Sequence, residues 1–388
     1  MISPHEIVYN KFMKDNLTQA LQEYAKEGWI PFHMPGHKRS PLLGAGLPWQ
    51  LDITEIAGFD NLNDPRGILL DLKRRAAAHW GADEAWISVN GSTGAILAGL
   101  RAMTKRGDTV LVARNCHISV FHALELCGLR PVFLEPEWLP AWGIYGALPQ
   151  RTLDEALRAH PGAALCVVTS PTYEGMLSPL ECPIPLFVDA AHGAHLPLPR
   201  ADLVAVSLHK TLPALTQTAL LLSRLSVYND SVSREMRVFQ TSSPSYVLLA
   251  STAHCLALLE EEQPALFAAW ERRLDAFYAH AHHWRNLKLF DLPHDRGKLL
   301  IRCDAEHAAA FLRQRKIEPE YARRNLLLLM TSCCDTDEAM ARLAAALDDL
   351  DADCPPPPAP SPRPAPLPED FLEHPANWVV EYPPGVPS

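Results

Sequence analysis

One lysine, one aspartate and one hydroxyl-bearing glycine turn are the residues of this chain best suited to chemistry. Lys210 lies in Ser207-Leu208-His209-Lys210-Thr211, and the stretches on either side of it are nearly uncharged. Upstream, Leu186-Phe187-Val188-Asp189-Ala190-Ala191-His192-Gly193-Ala194-His195 is an apolar strand that ends in an acid. Earlier still comes Val89-Asn90-Gly91-Ser92-Thr93-Gly94. A lysine for a Schiff base, a carboxylate for a pyridinium nitrogen and a cradle for a phosphate are what pyridoxal 5′-phosphate (PLP) requires.

Each piece also has a plainer reading. The Gly-Ser-Thr turn sits between a strand and a helix, where free N–H groups and the helix dipole attract a phosphate, but a Ser or Thr there also serves as an ordinary N-cap. Asp189 stands at the C-terminal end of an apolar strand, where open α/β sheets bind ligands, and an N-cap acid would look the same. Lys210 must lose its proton to attack an aldehyde, which a partly buried, positive site favours. Ser207 and His209 are placed to reach the phosphate. His117, in Asn115-Cys116-His117-Ile118-Ser119, could stack on a pyridine ring and move protons, although lone histidines are more often structural. Thr241-Ser242-Ser243-Pro244-Ser245-Tyr246 is a hydroxyl-rich turn before a long helical run.

The elements that would position these residues alternate. Helical patterns cover 71–80, 93–103 and 120–127; strand patterns cover 85–89, 109–112, 131–134, 164–169, 185–188, 203–207 and 219–223. Such alternation predicts an α/β domain with a mostly parallel sheet covered on both faces. Beyond it, helical runs over 245–262 and 265–284, the second opened by Pro264, precede strands at 298–303 and 326–331 and helices at 305–315 and 337–350. This predicts a smaller α+β domain. The expected division is an N-terminal arm (1–47), a large domain (48–250), a small domain (251–350), a stiff Pro-rich linker (351–370) and a tail (371–388).

Composition narrows the classes. The 388 residues are 48% hydrophobic and 21% charged, with a net charge of −10, so a broad nucleic-acid-binding face is not expected. No apolar run reaches a membrane span. The N-terminus lacks signal-peptide features, and nine cysteines without a Cys-x-x-Cys pair read as reduced thiols in a cytoplasm. No metal site is expected: His192 and His195 belong to the cofactor motif, and His280, His282 and His283 read as a polar helix end.

In order along residues 30–250, the chain resembles the Orn/Lys/Arg decarboxylase family of PLP-dependent, aspartate aminotransferase-like (fold type I) enzymes. The segments that carry the resemblance are Phe32-His33-Met34-Pro35-Gly36-His37-Lys38, Asp52-Ile53-Thr54-Glu55, Gly58-Phe59-Asp60-Asn61-Leu62, Val89 to Thr93, Arg114 to His117, Thr169-Ser170-Pro171-Thr172-Tyr173-Glu174-Gly175, Val188 to His195, Ser207 to Leu212, Thr216-Gln217, and Thr241 to Tyr246. The resemblance implies that Lys210 binds PLP, Asp189 pairs with its ring nitrogen with His192 beside it, and His117 stacks on the ring. Ser92, Thr93, Ser207 and His209 would hold the phosphate. It further implies loss of CO2 from a basic L-amino acid (lysine, arginine or ornithine), a homodimer or larger oligomer with the site at the interface, and a place in polyamine biosynthesis. Glu320, in Ile317-Glu318-Pro319-Glu320, and Ser243 are candidate substrate contacts.

The chain departs from the family pattern in two places. Asp189-Ala190-Ala191-His192 stands where the family has Asp-Glu-Ala-His, and Tyr382-Pro383-Pro384-Gly385 is not followed by Pro-Gly-Glu. Two other readings stay open: another fold-type I reaction such as aminotransfer, with Arg302, Arg323 or Arg324 for the α-carboxylate, or a non-catalytic paralogue.

Overall fold

The structure, a computed structural model, describes residues 17–27, 34–35, 38 and 46–365. Much of the 32–38 motif and the tail from 371 lie outside the described residues. In chain order the first elements are α1 (Leu17–Lys26), α2 (Ile68–Trp80), β1 (Glu84–Ser88), α3 (Gly91–Met103), β2 (Thr109–Ala113), α4 (Ile118–Cys127), β3 (Arg130–Leu134), β4 (Trp138–Leu139), β5 (Ile144–Tyr145) and α5 (Gln150–Ala159). Then come β6 (Leu165–Thr169), β7 (Leu186–Asp189), β8 (Leu203–Ser207), α6 (Leu208–Thr211), β9 (Ala219–Ser223), α7 (Asn229–Phe239) and α8 (Tyr246–Ala281). The last are β10 (Lys288–Leu289), β11 (Lys298–Arg302), α9 (Ala305–Gln314), β12 (Tyr321–Arg323), β13 (Leu326–Met330) and α10 (Asp337–Asp353). The chain forms two units, Met1–Met103 with Gly193–Gln263, and Thr104–His192 with Pro264–Ser388.

In the first unit, β1 and β8 flank β9, which runs antiparallel to both. The apolar runs Leu203–Val206 and Ala219–Leu222 are buried on both faces, as strands covered by helices must be. Helix α3 lies against β8, β9 and α7, and α2 against β1. Trp86 Nε1 donates to Ser233 Oγ (3.0 Å). In the Gly58–Leu62 motif, Asp60 collects the N–H groups of Arg66, Gly67 and Leu69 at the start of α2. Tyr246 Oη donates to the carbonyls of Phe59 and Asp60. That part of the motif is therefore architectural.

The second unit holds two larger sets of paired strands and the short antiparallel pair β4-β5. One larger set is wholly parallel, in the order β7-β6-β2-β3. The other is antiparallel, in the order β10-β11-β13-β12. The period-2 alternation of β11 and β13 sorts their side chains. Leu299, Ile301, Leu327 and Leu329 pack with Trp270, Leu274, Phe277, Leu312 and Leu347 from the helices. Leu300, Leu326 and Leu328 face the other way, onto Ile144, Met176 and Phe290. Lys298 and Arg302 share the face of Leu300.

Helix α8 corrects one expectation. Two helices separated at Pro264 were expected, but one continuous helix contains it. A proline inside a helix costs about 3 kcal/mol through a lost hydrogen bond and a clash with the preceding turn. Here the helix has a buried stripe on each side of the proline. Leu249, Ala253 and Leu256 lie before it, and Trp270, Leu274 and Phe277 after it.

Beyond α10, the proline-rich stretch from Cys354 to Ala365 runs back over the parallel-sheet part of the same unit. A Cβ on Gly143 (φ +70°) would stand 2.6 Å from Ser361 N. Arg363 pairs with Glu135 (3.3 Å), and Arg114 Nη2 donates to the Ala365 carbonyl (3.0 Å).

Candidate active site

In the first unit, the C-terminal ends of β1 and β8 lie at one edge, because Ser88 and Ser207 both stand opposite Ala219. Helix α3 starts there at Gly91, whose φ of +64° strains any other residue. Its first turn carries Ser92, half-buried, and Thr93, exposed. The N–H groups of that turn have no acceptor within the helix and lie at its positive dipole end. The loop before β9 ties this helix start to the lysine. Gly91 N donates to the Gln217 carbonyl (2.8 Å), while Leu208 N (3.1 Å) and His209 Nδ1 (3.0 Å) converge on the Thr218 carbonyl. Gln217 reaches this geometry with φ +77°. Burial, aided by the charge of Lys210 and opposed by the Thr218 carbonyl, lowers the pKa of His209.

Ser207 caps α6 without a side-chain bond, is fully buried, and its Oγ has no partner among the described residues. A buried hydroxyl left unbonded costs about 1–3 kcal/mol. With the α3 N-terminus on the same edge, it fits an added phosphate. Lys210 follows it, half-buried. Ser243 lies in an exposed turn before α8, where its N–H is bonded to Thr241 Oγ1.

In the second unit, the C-terminal ends of the parallel strands present Asp189 and, just beyond β2, His117. Asp189 is 1% exposed. Its Oδ1 accepts the Ala191 N–H (3.1 Å) and its Oδ2 the Thr169 hydroxyl (3.3 Å), Thr169 being its register partner on β6. His117 is the N-cap of α4: its Nδ1 accepts the Ser119 N–H (3.2 Å). Capping through Nδ1 leaves the ring proton on Nε2, so the structural role sets the tautomer any chemical role would use. Burial pushes the neighbouring Cys116 thiol up to about 12, which leaves it inert.

His192 is 5% exposed, and its Nδ1 stands 2.8 Å from Lys298 Nζ. The Tyr173 ring lies 4.6 Å from the His192 ring. Tyr173 Oη donates to Glu320, and Tyr321 Oη to Glu174 (3.3 Å). Burial raises the pKa of the Glu174 carboxyl, against the Tyr321 and Thr172 hydroxyls and the Lys298 charge. Burial, and after it Glu320, raises that of the Tyr173 phenol. Glu320 is thus a tyrosine's partner, on the exposed side of this cluster.

Sequence reasoning gave Tyr173, Glu174 and Gln217 no role and passed over Thr218 and Lys298. Gly175 (φ +92°) carries a usable signal: a Cβ there would stand 3.0 Å from Lys298 Cγ. The glycine of the Thr169–Gly175 motif thus makes room for the lysine.

The architecture is that of the fold-type I, aspartate aminotransferase-like proteins. It matches a lysine decarboxylase from Francisella novicida at a TM-score of 0.74, with 20% identity, over 87% of this chain and 60% of that one. It also matches a ureidoglycine–glyoxylate aminotransferase from Bacillus subtilis at 0.60, with 15% identity, over 74% of this chain and 86% of that one. Sequence is more specific. Residues 15–266 match the model of the Orn/Lys/Arg decarboxylase major domain. An arginine decarboxylase from Bacillus anthracis is 31% identical over 389 residues, covering 87% of this chain and 76% of that protein. The chain belongs to the Orn/Lys/Arg decarboxylase family. The match spans 58% and 52% of the length of two other curated relatives. No described helix is long and apolar enough to cross a membrane.

Proposed function

We propose that this chain removes the α-carboxylate of a basic L-amino acid (lysine, arginine or ornithine) as CO2, using PLP. The observation that carries this reading is the buried, unpartnered Ser207 hydroxyl on the strand leading into Lys210, in a chain of this family. When bound, PLP supplies the electron sink that makes loss of the carboxylate feasible.

The chain's residues would do the rest. Lys210 would be the attachment point, and Lys210 or His117 would return the proton to Cα. Ser207, Ser92, Thr93, His209 and the first turn of α3 would bind the phosphate. Asp189, its orientation fixed by Thr169 and Ala191, would keep the ring nitrogen protonated. His117 would lie on the ring face and offer Nε2–H. His192, held through Nδ1 by Lys298, would lie beside Asp189 at the cofactor. Glu320 and Ser243 are proposed substrate contacts. The same reading proposes a cytoplasmic homodimer or larger oligomer with the site at its interface, acting in polyamine biosynthesis.

The test is a substrate screen on purified, PLP-loaded protein, measuring CO2 and amine from L-lysine, L-arginine and L-ornithine. CO2 from one of them supports the proposal and names the substrate. Keto acid and pyridoxamine phosphate without CO2 would replace decarboxylation by aminotransfer. Failure of borohydride to trap the cofactor at Lys210 would point to a non-catalytic paralogue.

A further inference from the structure

Away from these residues, α8 ends in a histidine-rich turn beside α10. His280 Nε2 lies 2.8 Å from Asp348 Oδ2, and His283 Nε2 lies 3.2 Å from Asp348 Oδ1. The three ligand atoms lie within 4.8 Å of one another. Sequence spacing alone suggested only a polar helix end, because Asp348 is far along the chain.

The surroundings orient each group. His283 Nδ1 donates to the His280 carbonyl, so Nε2 is the nitrogen left with a lone pair. Trp284 Nε1 donates to Asp348 Oδ1 (2.8 Å) and fixes the carboxylate. Asp351 accepts the N–H groups of Arg285, Asn286 and Leu287 and fixes the turn itself. Outer hydrogen bonds of this kind hold ligands in register in metal sites. An imidazole lone pair and a carboxylate oxygen 3.2 Å apart repel each other unless a cation lies between them. That cation is a proton or a metal.

Imidazole and carboxylate together suit zinc and its neighbours rather than magnesium or calcium. Ligand bonds of about 2.0–2.1 Å in tetrahedral geometry place donor atoms about 3.3 Å apart; the His283–Asp348 separation of 3.2 Å matches this, and the His280–Asp348 one of 2.8 Å widens to it by a small side-chain shift. We propose that His280, His283 and Asp348 bind a zinc-class divalent cation at this surface, with the fourth position open to solvent. The ion would clip the end of α8 to α10 and stabilise the fold in proportion to its occupancy.

The full-length protein, dialysed against a chelator, is titrated with Zn2+ near neutral pH while its thermal midpoint is followed. Co2+ uptake is read by its visible spectrum. The expected result is a tetrahedral Co2+ band and a midpoint raised by ~3 °C. His283→Gln and Asp348→Asn should each lose the band and most of the increment, measured from their own metal-free baselines. An increment unchanged in both variants, absent from the native protein, or reproduced by Mg2+ would overturn the proposal. None of these readouts depends on decarboxylase activity.

Discussion

Lys298, 1% exposed, places its Nζ 2.8 Å from Nδ1 of His192, the histidine that closes the Asp189-Ala190-Ala191-His192 segment. The Lys298 amine thereby holds in place a residue next to the proposed catalytic aspartate. Lys298→Ala removes the long buried stem and that donor together. It should lower stability by about 3 kcal/mol, measured as a shifted urea midpoint. A loss under about 0.5 kcal/mol would show that the pair holds nothing in place.

Lys210→Ala should abolish turnover, since no other amine is proposed to carry the cofactor. Borohydride trapping followed by peptide mapping checks the same assignment: label on another lysine removes Lys210 from the mechanism.

Asp189→Asn should cost about 2–4 orders of magnitude in rate while PLP stays bound through the phosphate contacts. The measurement pairs turnover with cofactor content. A near-native rate would exclude a role for the carboxylate at the ring nitrogen.

Gly175→Ala meets two penalties, a φ of +92° and a Cβ pressed 3.0 Å from Lys298 Cγ and 3.1 Å from the Asp295 carbonyl. The expected cost is about 2 kcal/mol. Gly81, also at positive φ but with nothing near its Cβ, is the control, and Gly81→Ala should cost only about 1 kcal/mol.

For Asp351, burial pushes the carboxyl pKa up, but the N–H groups of Arg285, Leu287 and Asn286 outweigh it and hold the pKa below the ordinary value. A depressed folded-state pKa contributes stability above the unfolded pKa, and that stability is lost as pH falls through the folded value. Asp351→Asn should therefore cost about 1 kcal/mol at neutral pH and nothing at strongly acidic pH. Denaturant titrations across that range check it, and an equal loss at both ends would refute the linkage.

The strand ends are legible in the sequence because two buried strands are short apolar runs with a candidate site residue directly after them: Val188 then Asp189, Val206 then Ser207. What the sequence hid depends on contacts between distant segments. Lys298 opens an apolar strand, and only the alternation of that strand in the sheet turns it inward with Leu300. Helix α5 buries only Leu153, too thin a stripe to stand out. Pro264 read as a helix start because the buried stripes on either side of it belong to the fold, not to the local pattern. His117 is read as structural or as a candidate ring partner; the structure shows the structural part, a cap on α4.

The segment from Cys354 to Ala365 has a mechanical consequence. Prolines lose little conformational freedom on docking, so the few contacts at Ser361, Arg363 and Ala365 suffice to seat it. Arg114, which holds Ala365, belongs to the same loop as His117. The stretch thus works as a ruler laid across its unit, reaching from the end of α10 to the loop that carries His117.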